Sequence, residues 1–254
     1  MPTDHYIVGN CIGRGNFGAV FRAIHLESLK TVAIKRVPVP DTEQLTTMMR
    51  EVRKMESLHH ENVVRYHGFI RTASEFNLIL EYVENGSLAS TLKHFGPLPE
   101  VVVLDIVYQV LQGLNYLHER ELKHLDIKAA NLLYTKDGQV KLSDFGVSQS
   151  AMDTHSDKFV GTAYWMAPEV IALDGPCTAS DIWSLGCTII ELLTGVPPYF
   201  DMIPMSALYK IVEDDAPPLP EDISPDLHHF MLCCFQKNPA HRWSAHALLA
   251  HDWI

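Results

Sequence analysis

Apolar and polar residues alternate through most of the first 82 positions, a pattern that predicts β-strands. Strands are predicted over 8–11, 19–26 and 31–37, followed by β segments over 63–70 and 76–83. Residues 42–58 depart from this alternation, because their apolar side chains recur at helical spacing: Leu45, Met48, Met49, Val52 and Met55. Asp41 or Thr42 would cap this helix through a side-chain oxygen. A sheet with one helix is therefore predicted for the first third of the chain.

After Asn85 and Gly86 the pattern becomes helical. Residues 100–118 place Val103, Ile106, Val107, Val110, Leu111, Leu114 and Leu117 on one face, which predicts an amphipathic helix. Residues 180–194 are apolar nearly all round, which is typical of a helix buried along the axis of a domain. Two or three short helices, interrupted at Pro239, are predicted from residue 225 onward. We therefore expect an α+β fold, with a small β-rich part followed by a larger helical part.

Composition narrows the class of protein. A chain of 254 residues is long enough for one large domain or two lobes that share an interface. Its apolar share of 47% and charged share of 20% are ordinary for globular proteins. The net charge of −11, without a basic patch, argues against nucleic acid or an anionic membrane as the main partner. Because neither a membrane span nor a signal peptide is apparent, we expect a cytoplasmic protein.

Cysteine and histidine usage agrees with that compartment. The five cysteines are an odd number without CxxC spacing, which indicates reduced thiols rather than a disulfide framework. Fourteen histidines are present, but neither an HExxH motif nor a Cys/His quartet occurs. A structural metal site is therefore not predicted.

The first chemical signal is the segment Gly13-Arg-Gly15-Asn-Phe-Gly18. A GxGxxG segment alone is ambiguous, since dinucleotide-binding folds and kinase phosphate loops both contain it. A dinucleotide site requires a helix directly after the glycines, because the pyrophosphate lies on that helix's N-terminus. Residues 19–24 have strand propensity instead, which disfavours a dinucleotide oxidoreductase. We expect a hairpin whose backbone amides lie over phosphates, with a purely structural hairpin as the alternative.

Four further motifs follow. Lys35 ends the Val-Ala-Ile-Lys strand, and Glu51 lies in the predicted helix, where an unpaired carboxylate would be costly. A Lys35–Glu51 ion pair removes this cost and directs the ammonium at phosphate oxygens. The remaining motifs are His124-Leu-Asp126-Ile-Lys128-Ala-Ala-Asn131, Asp144-Phe-Gly146 and Ala167-Pro-Glu169. Five motifs in this order and at these separations do not arise by chance.

This motif set resembles the eukaryotic protein kinase catalytic domain over essentially the whole chain. The resemblance implies a bilobal fold, with residues 1–254 forming one kinase domain. Its N-lobe would cover 1–82, its hinge 83–86 and its C-lobe 87–254. It also implies that ATP and Mg²⁺ are used to phosphorylate serine or threonine hydroxyls of proteins.

The resemblance assigns roles around the phosphates. The loop glycines that would let the backbone approach the phosphates are Gly13, Gly15 and Gly18. Lys35, held by Glu51, would neutralise the α- and β-phosphates, while Asp144 and Asn131 would chelate magnesium. Asp126 would orient the attacking hydroxyl and accept its proton, and Lys128 would stabilise the γ-phosphoryl charge.

The resemblance also outlines an adenine slot. Ile12, Val20 and Ala33 would form its roof and Leu133 its floor. Backbone groups of Glu81 and Val83 would bind adenine, with Leu80 at the gatekeeper position. Plain core packing is the alternative explanation for these apolar residues. Glu169 with Arg242 would form a structural ion pair, and Asp181 would bond the catalytic-loop backbone.

Two segments resemble serine/threonine rather than tyrosine kinases. Lys128 follows Asp126 by two positions, and Gly161-Thr162-Ala163 precedes Ala167. The sequences of these two segments are most similar to those of MAP kinase kinase kinases and sterile-type kinases. Within that group, they most resemble the septation-initiation and mitotic-exit kinases of fungi and their plant relatives. The resemblance implies a role in a signalling cascade of cell division or MAP kinase signalling, with a small GTPase or scaffold binding outside this chain.

One position departs from the family. Leu125 precedes Asp126 where most members carry the arginine that receives an activation-loop phosphate. The two positions that often assist are Thr47 and Gln149, neither of them basic. We hypothesise that phosphorylation of Thr154 or Ser156 does not activate this enzyme by that route; loss of activity after phosphatase treatment, restored through either residue, would contradict this. The alternative function is a pseudokinase-like nucleotide-binding scaffold acting through protein contacts.

Overall fold

A five-stranded antiparallel sheet forms the first part of the chain. The computed structural model describes residues 5–15, 18–38, 52, 54–72, 75–144 and 163–254. The strands are β1 (Tyr6–Gly15), β2 (Gly18–His25), β3 (Thr31–Pro38), β4 (Tyr66–Arg71) and β5 (Glu75–Glu81). Their spatial order is β1-β2-β3-β5-β4. Val52 and residues 54–56 are helical, as predicted, but the predicted helix ends too late, because residues 57 and 58 are not helical. Its remaining positions, 42–51 and 53, lie outside the described residues.

The predicted strand over 63–70 is wrong at its start, because β4 begins only at Tyr66. Residues 62–64 pair with Leu142 instead. The Val64 N–H donates to the Leu142 carbonyl at 2.9 Å, and the Leu142 N–H donates to the Asn62 carbonyl at 2.9 Å. Backbone groups that bond to the helical part of the molecule cannot join the sheet, so the strand starts where these bonds end.

Helices dominate the remainder of the described chain. They are α1 (Leu88–Phe95), α2 (Glu100–His118), α3 (Pro168–Ile171), α4 (Thr178–Thr194), α5 (Pro204–Glu213), α6 (Pro225–Cys234) and α7 (Ala245–Leu248). Two short strands, β6 (Leu132–Tyr134) and β7 (Val140–Leu142), pair as an antiparallel ribbon. The predicted helix over 100–118 is confirmed at both ends. None of the helices in the described segments has the length and apolar character needed to cross a membrane.

Helix α4 is the buried axis of the helical part, as its apolar sequence predicts. Its side chains Ile182, Trp183 and Ile189 are fully buried. The main hydrophobic cluster surrounds it and extends to Leu78 beneath the sheet. A separate small cluster, built from Ala23, Val32, Ile34 and Ile79, covers the opposite face of the sheet. The main core thus surrounds α4 and continues to the face of the sheet that carries Leu78.

Candidate active site

The loop before β6 gathers three of the predicted site residues. Lys128 Nζ lies 2.7 Å from Asp126 Oδ1, and both side chains are mostly buried. Asn131 Nδ2 donates to the backbone oxygen and to Oδ2 of Asp126, each at 2.7 Å. The amide nitrogen of Asn131 is thereby committed, which leaves its Oδ1 as the group able to serve as an oxygen ligand.

Asp144 lies across from this loop. Its Oδ1 is 2.5 Å from Nζ of Lys35, whose side chain is only 7% exposed. Asp144 has a φ of 64°, a left-handed conformation that is uncommon outside glycine. Two hydrogen bonds from Ser143 to the Asn131 carbonyl, through N–H at 2.9 Å and Oγ at 3.0 Å, hold the segment before it. These bonds bring the backbone that leads into Asp144 next to Asn131.

Strand register brings the predicted roof residues to one face of the sheet. Val20 pairs with Lys35, and Ala33 pairs with Leu80. Directly opposed residues in antiparallel strands share a face, so these side chains lie on the face opposite the small cluster. Ile12 on β1 is 49% exposed. The structure thus places Val20, Ala33 and Lys35 together and leaves Ile12 at the rim.

The segment after β5 runs beside β6. The Tyr134 N–H donates to the Gly86 carbonyl at 3.1 Å, and Ser87 bridges to Leu133. Val83 is 6% exposed, and Leu133 is partly buried. The predicted floor residue and the predicted hinge are therefore neighbours.

The glycine-rich segment is a hairpin and not a strand–helix turn. Gly13 pairs with Val20, and Gly15 pairs with Gly18 across the β1–β2 pair. Gly18 has a φ of 134°, and a Cβ there would lie 1.8 Å from the Arg36 carbonyl oxygen. Only glycine fits that position. The predicted hairpin is confirmed, and the helix that a dinucleotide site would require after the glycines is replaced by strand β2.

Helix α4 carries a polar stripe that its overall apolar sequence conceals. Its members are Asp181, Ser184, Thr188 and Glu191, spaced three, four and three residues apart. Asp181 is fully buried and accepts from the N–H groups of His124 (2.9 Å) and Leu125 (2.7 Å). The predicted bond from Asp181 to the catalytic-loop backbone is thus confirmed, and it holds Leu125 at a φ of 62°.

Glu191, at the other end of the stripe, holds the catalytic loop at a second residue, Ala129. Glu191 Oε2 accepts from the Ala129 N–H and from Trp165 Nε1, each at 3.0 Å. Burial raises the pKa of Glu191, and these hydrogen bonds oppose the shift. Ser184 Oγ donates to the Trp165 carbonyl at 2.8 Å. Helix α4 therefore fixes the catalytic loop and the turn Ala163–Trp165 together.

A buried ion pair holds the segment after that turn. Arg242 donates to Glu169 through two nitrogens, at 2.8 and 3.0 Å, and Ser180 Oγ donates to the same carboxylate at 2.7 Å. Burial by itself would raise the pKa of Glu169, but the hydrogen bonds from Arg242 and Ser180 lower it below its ordinary value. The predicted structural ion pair is confirmed.

Several predicted residues lie outside the described part of the chain. They are Glu51, Thr47, Phe145, Gly146, Gln149, Thr154, Ser156 and Thr162. The Lys35–Glu51 pair and the activation-loop hypothesis therefore remain predictions.

A His/Cys cluster lies away from this site, where His229, Cys233 and His251 have ligand atoms within 4.8 Å of one another. The Trp253 N–H donates to His251 Nδ1 at 3.0 Å, so Nε2 carries the ring hydrogen and donates to His229 Nδ1 at 2.7 Å. A metal-bound histidine instead donates from its second ring nitrogen. The cluster is thus a hydrogen-bonded histidine pair.

Three residues that support the elements of the candidate site were not predicted: His118, Lys141 and Glu191. His118 Nε2 donates to Asp181 Oδ2 at 2.8 Å, so it supports the carboxylate that holds the loop. A charged residue within a nearly all-apolar helix is the sequence signal that would have indicated Glu191.

Comparison with known proteins decides the family. A model of the protein kinase domain matches residues 6–254. The chain belongs to the protein kinase family. Enzymes of this family use ATP and a divalent metal, typically Mg²⁺, and their substrates are proteins.

Curated relatives resemble this kinase domain over almost its whole length. Cytokinesis protein sepH of Emericella nidulans is 51% identical over 98% of the chain. MAP3K epsilon protein kinase 2 of Arabidopsis thaliana is 52% identical over 99%, and cell division control protein 7 of Schizosaccharomyces pombe is 49% identical over 100%. The chain spans 19%, 19% and 24% of these three proteins, about a fifth of their length. The predicted kinase resemblance is confirmed.

Proposed function

We propose that this kinase domain transfers the γ-phosphoryl group of ATP to serine or threonine hydroxyls of proteins. The observation that supports this best is the joint placement of Asp126, Lys128 and Asn131 opposite the Lys35–Asp144 pair. Phosphoryl transfer depends on positioning and charge neutralisation more than on covalent chemistry, and this arrangement supplies both.

In the proposed step the substrate hydroxyl oxygen forms a bond to the γ-phosphorus, while the bond from that phosphorus to the β–γ bridging oxygen breaks. Asp126 orients the hydroxyl and accepts its proton, and ADP leaves with the bridging oxygen. Lys128, 2.7 Å from Asp126, stabilises the charge on the transferred group. Lys35 neutralises the α- and β-phosphates, with Glu51 as its expected partner.

The donor set fits magnesium. Asp144 offers a carboxylate and Asn131 an amide oxygen, the hard ligands that Mg²⁺ prefers. A magnesium ion held by these residues would neutralise charge that develops on the phosphates. Asp144 is held for this role by Lys35, and Asn131 by its two bonds to Asp126.

For the nucleotide base we propose a slot between the sheet and β6. Its roof consists of Ile12, Val20 and Ala33 and its floor of Leu133, with Gly13, Gly15 and Gly18 over the phosphates. The backbones of Glu81 and Val83 bind adenine. Val83 begins the hinge, proposed as residues 83–86 between an N-lobe over 1–82 and a C-lobe over 87–254.

For the cellular role we propose a signalling cascade that controls cell division or MAP kinase signalling, in the cytoplasm. The names of the curated relatives, which include cytokinesis and cell division control proteins and a MAP3K, support this role. A small GTPase or scaffold would bind through regions outside this chain.

The test is transfer from labelled ATP to a generic basic protein, with magnesium, beside an Asp126→Asn variant. We expect transfer in the wild type and a loss of about 10³-fold or more in the variant, since proton acceptance and hydroxyl orientation are both removed. Equal rates in both proteins would contradict the proposal. Magnesium-dependent ATP binding without transfer would favour the nucleotide-binding scaffold.

A further inference from the structure

A buried lysine lies behind the hinge and has no part in the roles proposed above. Lys141 is the middle residue of β7, and its side chain is only 8% exposed. Its Nζ lies 3.1 Å from Oε1 of Glu81 and donates to the Glu61 carbonyl at 2.8 Å. In the described segments, Glu81 is the carboxylate that pairs with this ammonium.

The carboxylate of Glu81 is shared between two parts of the molecule. Its Oε2 accepts from the Arg65 N–H at 3.0 Å, and the Glu81 N–H donates to the Arg65 carbonyl at 2.8 Å. Oε1 faces Lys141 in the helical part. A hydrogen bond to a charged group is shorter and stronger than one between neutral groups, so both contacts fix the last residue of β5 in position.

The position of Lys141 connects this contact to the nucleotide slot. Lys141 is paired with Leu133, the proposed floor, across the β6–β7 ribbon. Three residues after Lys141 the same segment reaches Asp144, which contacts Lys35. Glu81 ends β5 two positions before Val83, the first residue of the proposed hinge. One ammonium therefore links the hinge to the strand pair that supplies the floor and the metal ligand.

We propose that Lys141 is a positioning residue that sets the hinge at the distance from Leu133 that adenine requires. The proposal rests on the proposed kinase function, because it concerns the same nucleotide slot. The ion pair is asymmetric, since the Glu81 side chain is 29% exposed and that of Lys141 is 8% exposed. Removing Glu81 leaves an uncompensated buried charge, whereas removing Lys141 leaves a carboxylate that water can reach. Lys141→Met is therefore the milder and more informative change.

The test separates base binding from phosphate binding. Calorimetry measures the Kd of adenosine and, separately, of tripolyphosphate with magnesium, for the wild type and Lys141→Met. We expect the adenosine Kd to rise about tenfold, equivalent to about 1.4 kcal/mol. The tripolyphosphate Kd should stay within about twofold of the wild-type value, because Lys35 and the glycine loop remain in place. In kinetic measurements the KM for ATP should rise, while kcat should stay within about twofold of the wild-type value.

Two further variants serve as controls. Lys141→Arg, which keeps the charge and two donors, should recover most of the adenosine affinity. Lys136→Met, an exposed lysine in the turn before β7, should change neither ligand. If Lys141→Met does not fold, as judged by its thermal transition, Lys141→Gln is measured in its place.

The outcomes distinguish this proposal from the kinase proposal. An adenosine Kd that is unchanged, or one that rises together with the tripolyphosphate Kd, would overturn the positioning role. A wild type that binds adenosine but transfers no phosphate would contradict the kinase proposal and still allow Lys141 to be judged from binding. A wild type that binds no adenosine would overturn both.

Discussion

The hydroxyl of Tyr66 is buried without a hydrogen-bond partner in the described part of the molecule. Tyr66 is 5% exposed and belongs to the core beneath the sheet. An unpaired buried hydroxyl costs about 1–3 kcal/mol, so its removal should not destabilise the protein. We expect Tyr66→Phe to leave the free energy of unfolding unchanged or to raise it by about 1 kcal/mol, measured by urea denaturation.

Tyr199 offers the matched control for this change. It is 6% exposed, and its hydroxyl donates to Asp214 Oδ2 at 3.0 Å. Tyr199→Phe should therefore lose about 1–2 kcal/mol, because a bond to a carboxylate is removed. A larger loss from Tyr66→Phe than from Tyr199→Phe would show that the Tyr66 hydroxyl has a stabilising partner.

At the scale of elements, two glycines of the β1–β2 hairpin differ in why a side chain would be unfavourable. At Gly18 the fold has no room for one, whereas at Gly13 a side chain would affect only the proposed phosphate site. A Cβ at Gly13 would have no atom within 4 Å, whereas one at Gly18 would overlap the Arg36 carbonyl. We expect Gly13→Ala to keep the melting temperature but to raise the KM for ATP about tenfold, because the added methyl group faces the proposed phosphate path.

Gly18→Ala is the counterpart in the same hairpin. It should lower the melting temperature by several degrees, since both its φ of 134° and the 1.8 Å approach disfavour a side chain. Equal melting temperatures for the two variants, measured by calorimetry, would contradict this division between fold and function.

The contact between His229 on α6 and His251 predicts that the stability of the folded protein depends on pH. Burial, followed by the nearby His229, lowers the pKa of His251, although Asp252 and Asp226 oppose the shift. The unfolded chain then binds more protons than the folded one, so this histidine contributes stability above about pH 6.5 that is lost as the pH falls. We expect the melting temperature of the wild type to fall between pH 7.5 and 5.5.

His251→Gln removes this titrating group and should flatten the decline. Three other histidines, His60, His67 and His124, also have lowered pKa values and keep part of the slope in both proteins. Melting curves with the same slope in the variant and the wild type would show that the histidine pair makes no contribution.

At the scale of the whole molecule, Arg242 ties three distant segments together. It contacts Glu169 on α3 and the Ala179 carbonyl on α4, and its side chain is fully buried. Arg242→Met leaves Glu169 as an uncompensated charge, so we expect a loss of about 3–5 kcal/mol in the free energy of unfolding. Chemical denaturation measures it.

Lys210 provides the surface comparison. It pairs with Glu213 at 3.3 Å, and both side chains remain largely in water. Lys210→Met should have no measurable effect on stability, since exposed ion pairs contribute little. The double change Arg242→Met with Glu169→Leu should recover part of the lost stability, and no recovery would show that packing of Arg242, not charge, is responsible.

Local pattern was sufficient for much of this fold. Helix α2 begins and ends where its apolar periodicity predicts, because one continuous face of seven apolar residues is a local property. Asp126, Asn131 and Asp144 were predicted because they lie in motifs that resemble those of protein kinases. Asn131 bonds to Asp126, and Asp144 lies beside Lys35 in the structure, while the roles of these residues in the reaction stay proposals.

Features that depend on distant partners could not be predicted in the same way. Strand β4 starts late because residues 62–64 pair with Leu142, almost 80 positions away. The polar stripe on α4 was missed because Ser184 and Thr188 are small, and each also bonds a carbonyl within its own helix. Lys141 has no local signature that distinguishes its buried ion pair from an ordinary solvent-facing position.

Because the polar stripe on α4 holds the catalytic loop at two residues, the geometry of that loop depends on the regular spacing of residues along this helix. Asp181 and Glu191 are ten residues apart, or about 15 Å along the axis, and they hold the two ends of the catalytic loop. One residue inserted after Gly186 would turn Glu191 by about 100° away from Ala129 while Asp181 kept its bonds. Variation in length is therefore more tolerable in the surface connections of this kinase domain than inside α4. There a single added residue would rotate Glu191 together with the buried Ile189 and Leu192, which would misalign the catalytic loop and disturb the core.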